Sequence, residues 1–145
     1  MLSRLEVEAR WSFILSLDDA LLKGGAITSA KTDLLVQNVD IAYCNGAPLA
    51  AIILATSAIE AHLRFDLQVD ESTNLASLID RSALGTSLIE DLHALRRERN
   101  RWVHPREEEG DDWIYDDVAG LRTLDALARS AVRLVRLVLY DNPWV

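Results

Sequence analysis

The chain is expected to fold as an all-α domain, an antiparallel four-helix bundle with one short extra helix, and three observations predict this. Apolar residues recur at helical spacing along most of its 145 residues. The six glycines and three prolines fall mostly between the periodic segments rather than inside them. Half of the residues are hydrophobic and about a quarter charged, an ordinary globular balance, and this length supports one core without staples. No repeat, linker or low-complexity tract divides the chain, so residues 1–145 read as a single domain.

The first helix is expected from Ser3 to Leu22, on the apolar points Leu5, Trp11, Ile14, Leu15 and Leu21, with Gly24-Gly25 as its stop. A second spans Ser29 to Tyr43, carried by Leu34, Leu35, Val39 and Ala42 and ended by Asn45-Gly46. Pro48 suits a first-turn position and opens a third helix to Leu67. A short fourth, Asn74 to Leu84, closes at Gly85. Thr86 then caps a long helix to His104, with Glu90 and Asp91 near its positive end. Pro105 stops that helix, because proline disfavours helical geometry at the residue before it. Asp117 caps the last helix, which runs to Tyr140 on Leu121, Leu124, Leu127, Val132, Leu134, Val135 and Val138.

Composition excludes several classes of protein. The lone Cys44 supports neither a disulfide framework nor a cysteine-based zinc site and reads as a small buried hydrophobe. Met1–Arg10 carries charge where a secretory segment would be apolar. The uncharged run Ile41–Ile59 is interrupted by Asn45-Gly46 and Pro48, so a cytoplasmic protein without a membrane span is expected. A net charge of −8 argues against broad nucleic-acid binding, yet Arg96, Arg97, Arg99, Arg101 and Arg106 concentrate a third of the Lys and Arg in eleven residues. Seven carboxylates between Glu107 and Asp117 follow; lacking the pattern of a calcium loop, they read as a solvated acidic segment. No glycine-rich phosphate loop, paired cysteine or nucleophilic serine motif is present, and no metal or cofactor is expected.

Two charges fall on apolar helix faces. Arg99 stands in the arc of Leu88, Leu92, Leu95, Trp102 and Val103, and Glu60 near the edge of the stripe Leu49, Ile52, Ile59, Leu63 and Leu67. A charge on such a face needs a partner, and these two are candidates for each other. The pair could serve only to set helix register, or Arg99 could face a second copy. Asn100 and His104, spaced i and i+4, share a face beside the stripe, so an arginine, an amide and an imidazole gather at one helix end. His62 points away from the stripe and reads as a surface residue. His93 lies near the angular position of Asn100 and His104 and reads first as part of a solvated face, with a substrate-facing row as the alternative. Trp102 is expected to pack in the core or a dimer contact, and Trp113 to pin the acidic segment.

The segment Leu92–Pro105, with Arg99-Asn100 followed by His104 at a helix end, resembles the HEPN superfamily. The earlier helix with Ala58-Ile59-Glu60 and the segment Asn74–Ile79 agree with it, so the resemblance spans roughly Ala47 to Val135. It implies a metal-independent endoribonuclease that works as a homodimer, with Arg99 and His104 catalytic, Asn100 a polar helper, and Arg96, Arg97 and Arg101 contacting RNA. The residue types suit the chemistry. An imidazole moves a proton near neutral pH, and a guanidinium grips phosphate and offsets charge developing on it. Attack of the RNA's own 2′-hydroxyl would leave a 2′,3′-cyclic phosphate and a 5′-hydroxyl. The size further suggests the toxin of a toxin–antitoxin pair, with an antitoxin protein as partner. The alternative is a non-catalytic module that dimerises or docks a partner through the same helix, with Arg99 and Glu60 structural.

Overall fold

A computed structural model describes residues 1–104 and 117–141, and every regular element in them is an α-helix. These are α1 (Arg4–Leu21), α2 (Ala30–Cys44), α3 (Pro48–Leu67), α4 (Leu75–Arg81), α5 (Thr86–Val103) and α6 (Asp117–Leu139). Each start has a local cause. Ser3 and Glu6 form a reciprocal capping box on α1, Ser29 caps α2 through the Thr32 amide, and Asn74 caps α4 through the Ser77 amide at 2.9 Å. Two expectations shift by one residue. The N-cap of α5 is Gly85, with no side-chain bond, and Thr86 is already helical. Asp117 is the first residue of α6, and its expected capping side chain lies outside the described ones. The short helix ends at Arg81 rather than Leu84, because Ser82 leaves helical geometry at ψ 157°.

At the α2–α3 turn Gly46 takes φ +77°, and a Cβ there would stand 3.0 Å from Leu2 Cγ. Both facts select glycine.

The core forms around α3, which packs most extensively on α2 and α6 and also touches α4 and α5. Its twenty residues are long and apolar enough, by length and composition alone, to cross a membrane. Eight of its side chains are instead buried inside the fold, and the small ones among them, Ala51, Ala55 and Ala58, let neighbouring helices approach closely. Cys44 is fully buried, and burial pushes its thiol up to about 11, so it behaves as a small apolar group.

The edge of α1 that meets the core differs from the one expected. Ile14 and Leu17 are buried, but Leu5, Trp11 and Leu15 are exposed. Polar contacts hold the rest of this edge. Arg10 Nη1 donates to Asp125 Oδ1 at 2.7 Å and to the Tyr43 carbonyl at 3.0 Å, and the Arg129 guanidinium lies 3.7 Å over the Phe13 ring. Further along, Arg136 Nε donates to Asp18 at 2.9 Å. These pairs advance together along both chains, so α1 and α6 run parallel.

The buried charge cluster sits at the end of this seam. Arg136, 3% exposed, forks onto both oxygens of Asp40 at 2.9 and 2.7 Å, while Tyr140 donates to Asp18 at 2.6 Å. Burial opposes the charge on Arg136, but Asp40 and Asp18 more than offset it and hold the guanidinium above its ordinary pKa. Burial first, and then the bond to Asp18, raises the Tyr140 phenol.

A candidate phosphate-binding site at the end of helix α5

Helix α5 buries Leu92 and Leu95, with Leu88 and Ile89 partly covered, and its apolar stripe then opens toward solvent. Trp102 is half-buried, its indole donating to Glu98 at 3.3 Å, and it lines an apolar groove with Pro48, Leu49, Leu121 and Leu124. Val103 is exposed. At this end α5 borders the start of α3 and the first turns of α6.

Arg99 sits in this opening stretch and is half-buried. Its Nε is buried without a hydrogen-bond partner, and the side chain makes no ion pair among the described residues. The expected pairing with Glu60 is absent. Glu60 instead accepts from Arg64 Nη2 at 2.9 Å, one turn further along its own helix, and Arg64 also caps the Asp70 and Thr73 carbonyls. The i, i+4 spacing makes that bond local, and Glu60 borders a surface hollow with Ser29, Lys31 and Arg64. Arg136, which carries no expectation from the sequence, is a buried cation that meets carboxylates.

His104 is the C-cap of α5. It leaves helical geometry at φ −127°, ψ 68°, as the following proline requires, while its amide still donates to the Asn100 carbonyl at 2.8 Å. Its side chain is exposed. The Asn100 side chain is half-buried and makes no hydrogen bond among the described residues. Three groups suited to a phosphate, one cationic, one amide and one imidazole, thus stand within six residues of one helix end with no acceptor or donor committed to them among the described residues. Arg97 and Arg101 are exposed and Arg96 half-buried. Arg106, Trp113 and the acidic segment from Glu107 to Asp116 lie outside the described residues.

The two other histidines depart from expectation. His62 is 6% exposed rather than superficial, because α3 is covered on that side by the end of α6 and the α4–α5 connection, with which it borders a cavity of about 440 Å³. Its Nδ1 has no partner, and burial lowers its pKa, with Asp66 offsetting part of that effect. His93 is engaged rather than simply solvated: Nε2 lies 2.7 Å from Asp80 on α4, and Arg96 Nε donates to Nδ1 at 3.3 Å. The exposed Asp80, thirteen residues away on another helix, gave the sequence no periodic signal. Among the described residues no group of three or more His, Cys, Asp or Glu is placed to hold a metal ion.

Comparison of the chain with protein-family models, with curated proteins and with solved structures finds no match.

Proposed function

We propose that this chain is a metal-independent endoribonuclease acting as a homodimer, in which Arg99, Asn100 and His104 act on RNA. One observation carries the reading: a half-buried guanidinium whose Nε has no acceptor shares one helix end with an amide uncommitted among the described residues and an exposed imidazole. The Nη groups of the same side chain reach solvent without a partner among the described residues, so an external anion can meet them there. A phosphate diester fits, since it offers the planar fork two acceptors at once. The six helices are read as an antiparallel four-helix bundle of α2, α3, α5 and α6, with α1 docked outside and α4 as the short extra helix.

In the reaction, the His104 imidazole takes the proton of the ribose 2′-hydroxyl. The freed oxygen attacks the adjacent phosphorus, the bond to the 5′-oxygen breaks, and an imidazolium returns a proton to that leaving oxygen. The second copy's motif helix supplies the other imidazole across the cleft. Arg99 holds the non-bridging oxygens as their charge grows, and Asn100 donates to the same group. The products are a 2′,3′-cyclic phosphate and a 5′-hydroxyl. Such an activity suits a toxin restrained by an antitoxin protein.

The test is cleavage of single-stranded RNA by purified protein in excess chelator, alongside Arg99→Ala and His104→Ala. Wild type is expected to yield cyclic-phosphate ends, with both variants reduced by at least about a hundredfold. A folded wild type that leaves RNA as intact as its variants do ends the proposal. The alternative, a non-catalytic dimerisation or partner-binding module, is favoured by the exposure of Val103 and Leu121, both apolar. It expects His104→Ala to be silent in every assay.

A further inference from the structure

Side chains 93, 96, 97, 100 and 104 are linked by i+3 and i+4 spacings (93 to 96 and 97, both of these to 100, and 100 to 104), so one polar edge of α5 runs from His93 to His104. At its start three groups are joined across two helices. Arginine only donates, so a bond from Arg96 Nε makes His93 Nδ1 an acceptor; the ring proton then lies on Nε2, facing the Asp80 carboxylate. Both imidazole nitrogens are therefore occupied, and His93 is not placed to accept a substrate proton. Its effect is to hold Arg96. With Nε anchored, both Nη groups of Arg96 remain without partners among the described residues. The planar fork is thus pre-aimed, and less rotamer freedom is lost when it binds an anion.

Resting on the nuclease reading above, we propose that Asp80, His93 and Arg96 form a preset clamp for an RNA backbone phosphate other than the one being cut. Arg96 makes the contact and His93 is a positioning residue. Arg96 lies eight residues before His104, roughly 12 Å along the helix axis, and its Nε is turned back toward His93, so its fork is directed away from the cleavage point. The substrate class this selects is single-stranded RNA extending past the cleavage point along α5, rather than a dinucleotide.

The experiment measures kcat and KM for a labelled single-stranded RNA oligonucleotide at several salt concentrations, using wild type, Arg96→Gln, His93→Ala and His93→Asn. Arg96→Gln is expected to raise KM roughly tenfold with a much smaller change in kcat. It should also flatten the dependence of log KM on log salt by about 0.7, the share of one phosphate contact on a single strand. His93→Ala should move KM the same way. His93→Asn, which retains an acceptor near the Nδ1 position, should recover part of the loss, a rescue that mere helix packing would not give. Arg96→Gln leaves the α4–α5 contact at His93 and Asp80 in place, so it reads the clamp even if His93→Ala unfolds. If wild type cleaves RNA but Arg96→Gln matches it in KM and salt slope, the clamp is refuted and the nuclease reading stands. If no protein of the set cleaves RNA, that reading fails and the clamp with it.

Discussion

Arg99 carries its Nε into the protein without an acceptor, whereas Arg136 meets Asp40 and Asp18 with three of its nitrogens. A side chain that stabilises the fold shows its partners there, and Arg99 shows none among the described residues. Replacement of Arg99 by methionine, of similar length and without the unmet donor, should therefore change stability by less than about 1 kcal/mol or raise it slightly. A thermal melt checks this, and a drop of many degrees would return Arg99 to a structural role. RNA cleavage by the same variant should be lost. His62 makes a separate prediction about pH. Its folded pKa lies below the ordinary value of 6.5, because burial disfavours the imidazolium. As pH falls below about 6.5 the unfolded chain takes up a proton that the folded one resists, so unfolding gains. Melting temperature should fall between pH 7 and pH 5, and His62→Leu should flatten that slope. Identical slopes for the two proteins would remove His62 as the cause.

Helix α1 shows how an element can dock by charge as much as by grease. Ile14 and Leu17 are its only buried side chains, and Arg10, Phe13 and Asp18 complete the seam against α2 and α6. Arg136 joins three helices at one end of that seam. Removing it strands the Asp40 carboxylate in a poorly solvated place and takes one of two donors from Asp18, so Arg136→Met should destabilise by about 3–5 kcal/mol in urea unfolding. Adding Asp40→Asn to that variant should recover part of the loss, since it removes one stranded charge. If the single variant loses less than about 1 kcal/mol, the cluster is not what holds α1 in place. The pairing expected between Glu60 and Arg99 is made instead by Arg136 with Asp40, while Glu60 accepts from Arg64. Arg136 shares a helix face with Val132, Leu139 and Tyr140, and Asp40 with Val36, Tyr43 and Cys44, so the i±3 and i±4 spacing places both on apolar faces. Periodicity shows that a charge needs a partner. It does not show which of several acids the fold brings near.

For the whole molecule, the proposed chemistry requires two motif helices to share a cleft. Sedimentation at assay concentration should therefore report a dimer, and dilution should reduce specific activity in step with its dissociation. A fully active monomer would contradict the shared cleft. The exposed apolar Val103 and Leu121, together with the groove beside Trp102, give such a contact a surface at the end of α5.

Helix content, helix ends and the turn at Gly46 were decided locally, by caps, prolines, glycines and the recurrence of apolar residues, all of which act within a few positions of themselves. That Arg99, Asn100 and His104 lie at one helix end was legible for the same reason. Whether each polar group is committed or free was decided only in three dimensions. Arg64 rather than Arg99 reaches Glu60, Arg136 reaches Asp18 and Asp40 across distant stretches of chain, and Asp80 on a different helix engages His93. Hydrogen bonds and ion pairs act over a few ångströms, and only tertiary packing brings residues far apart in the chain within that reach.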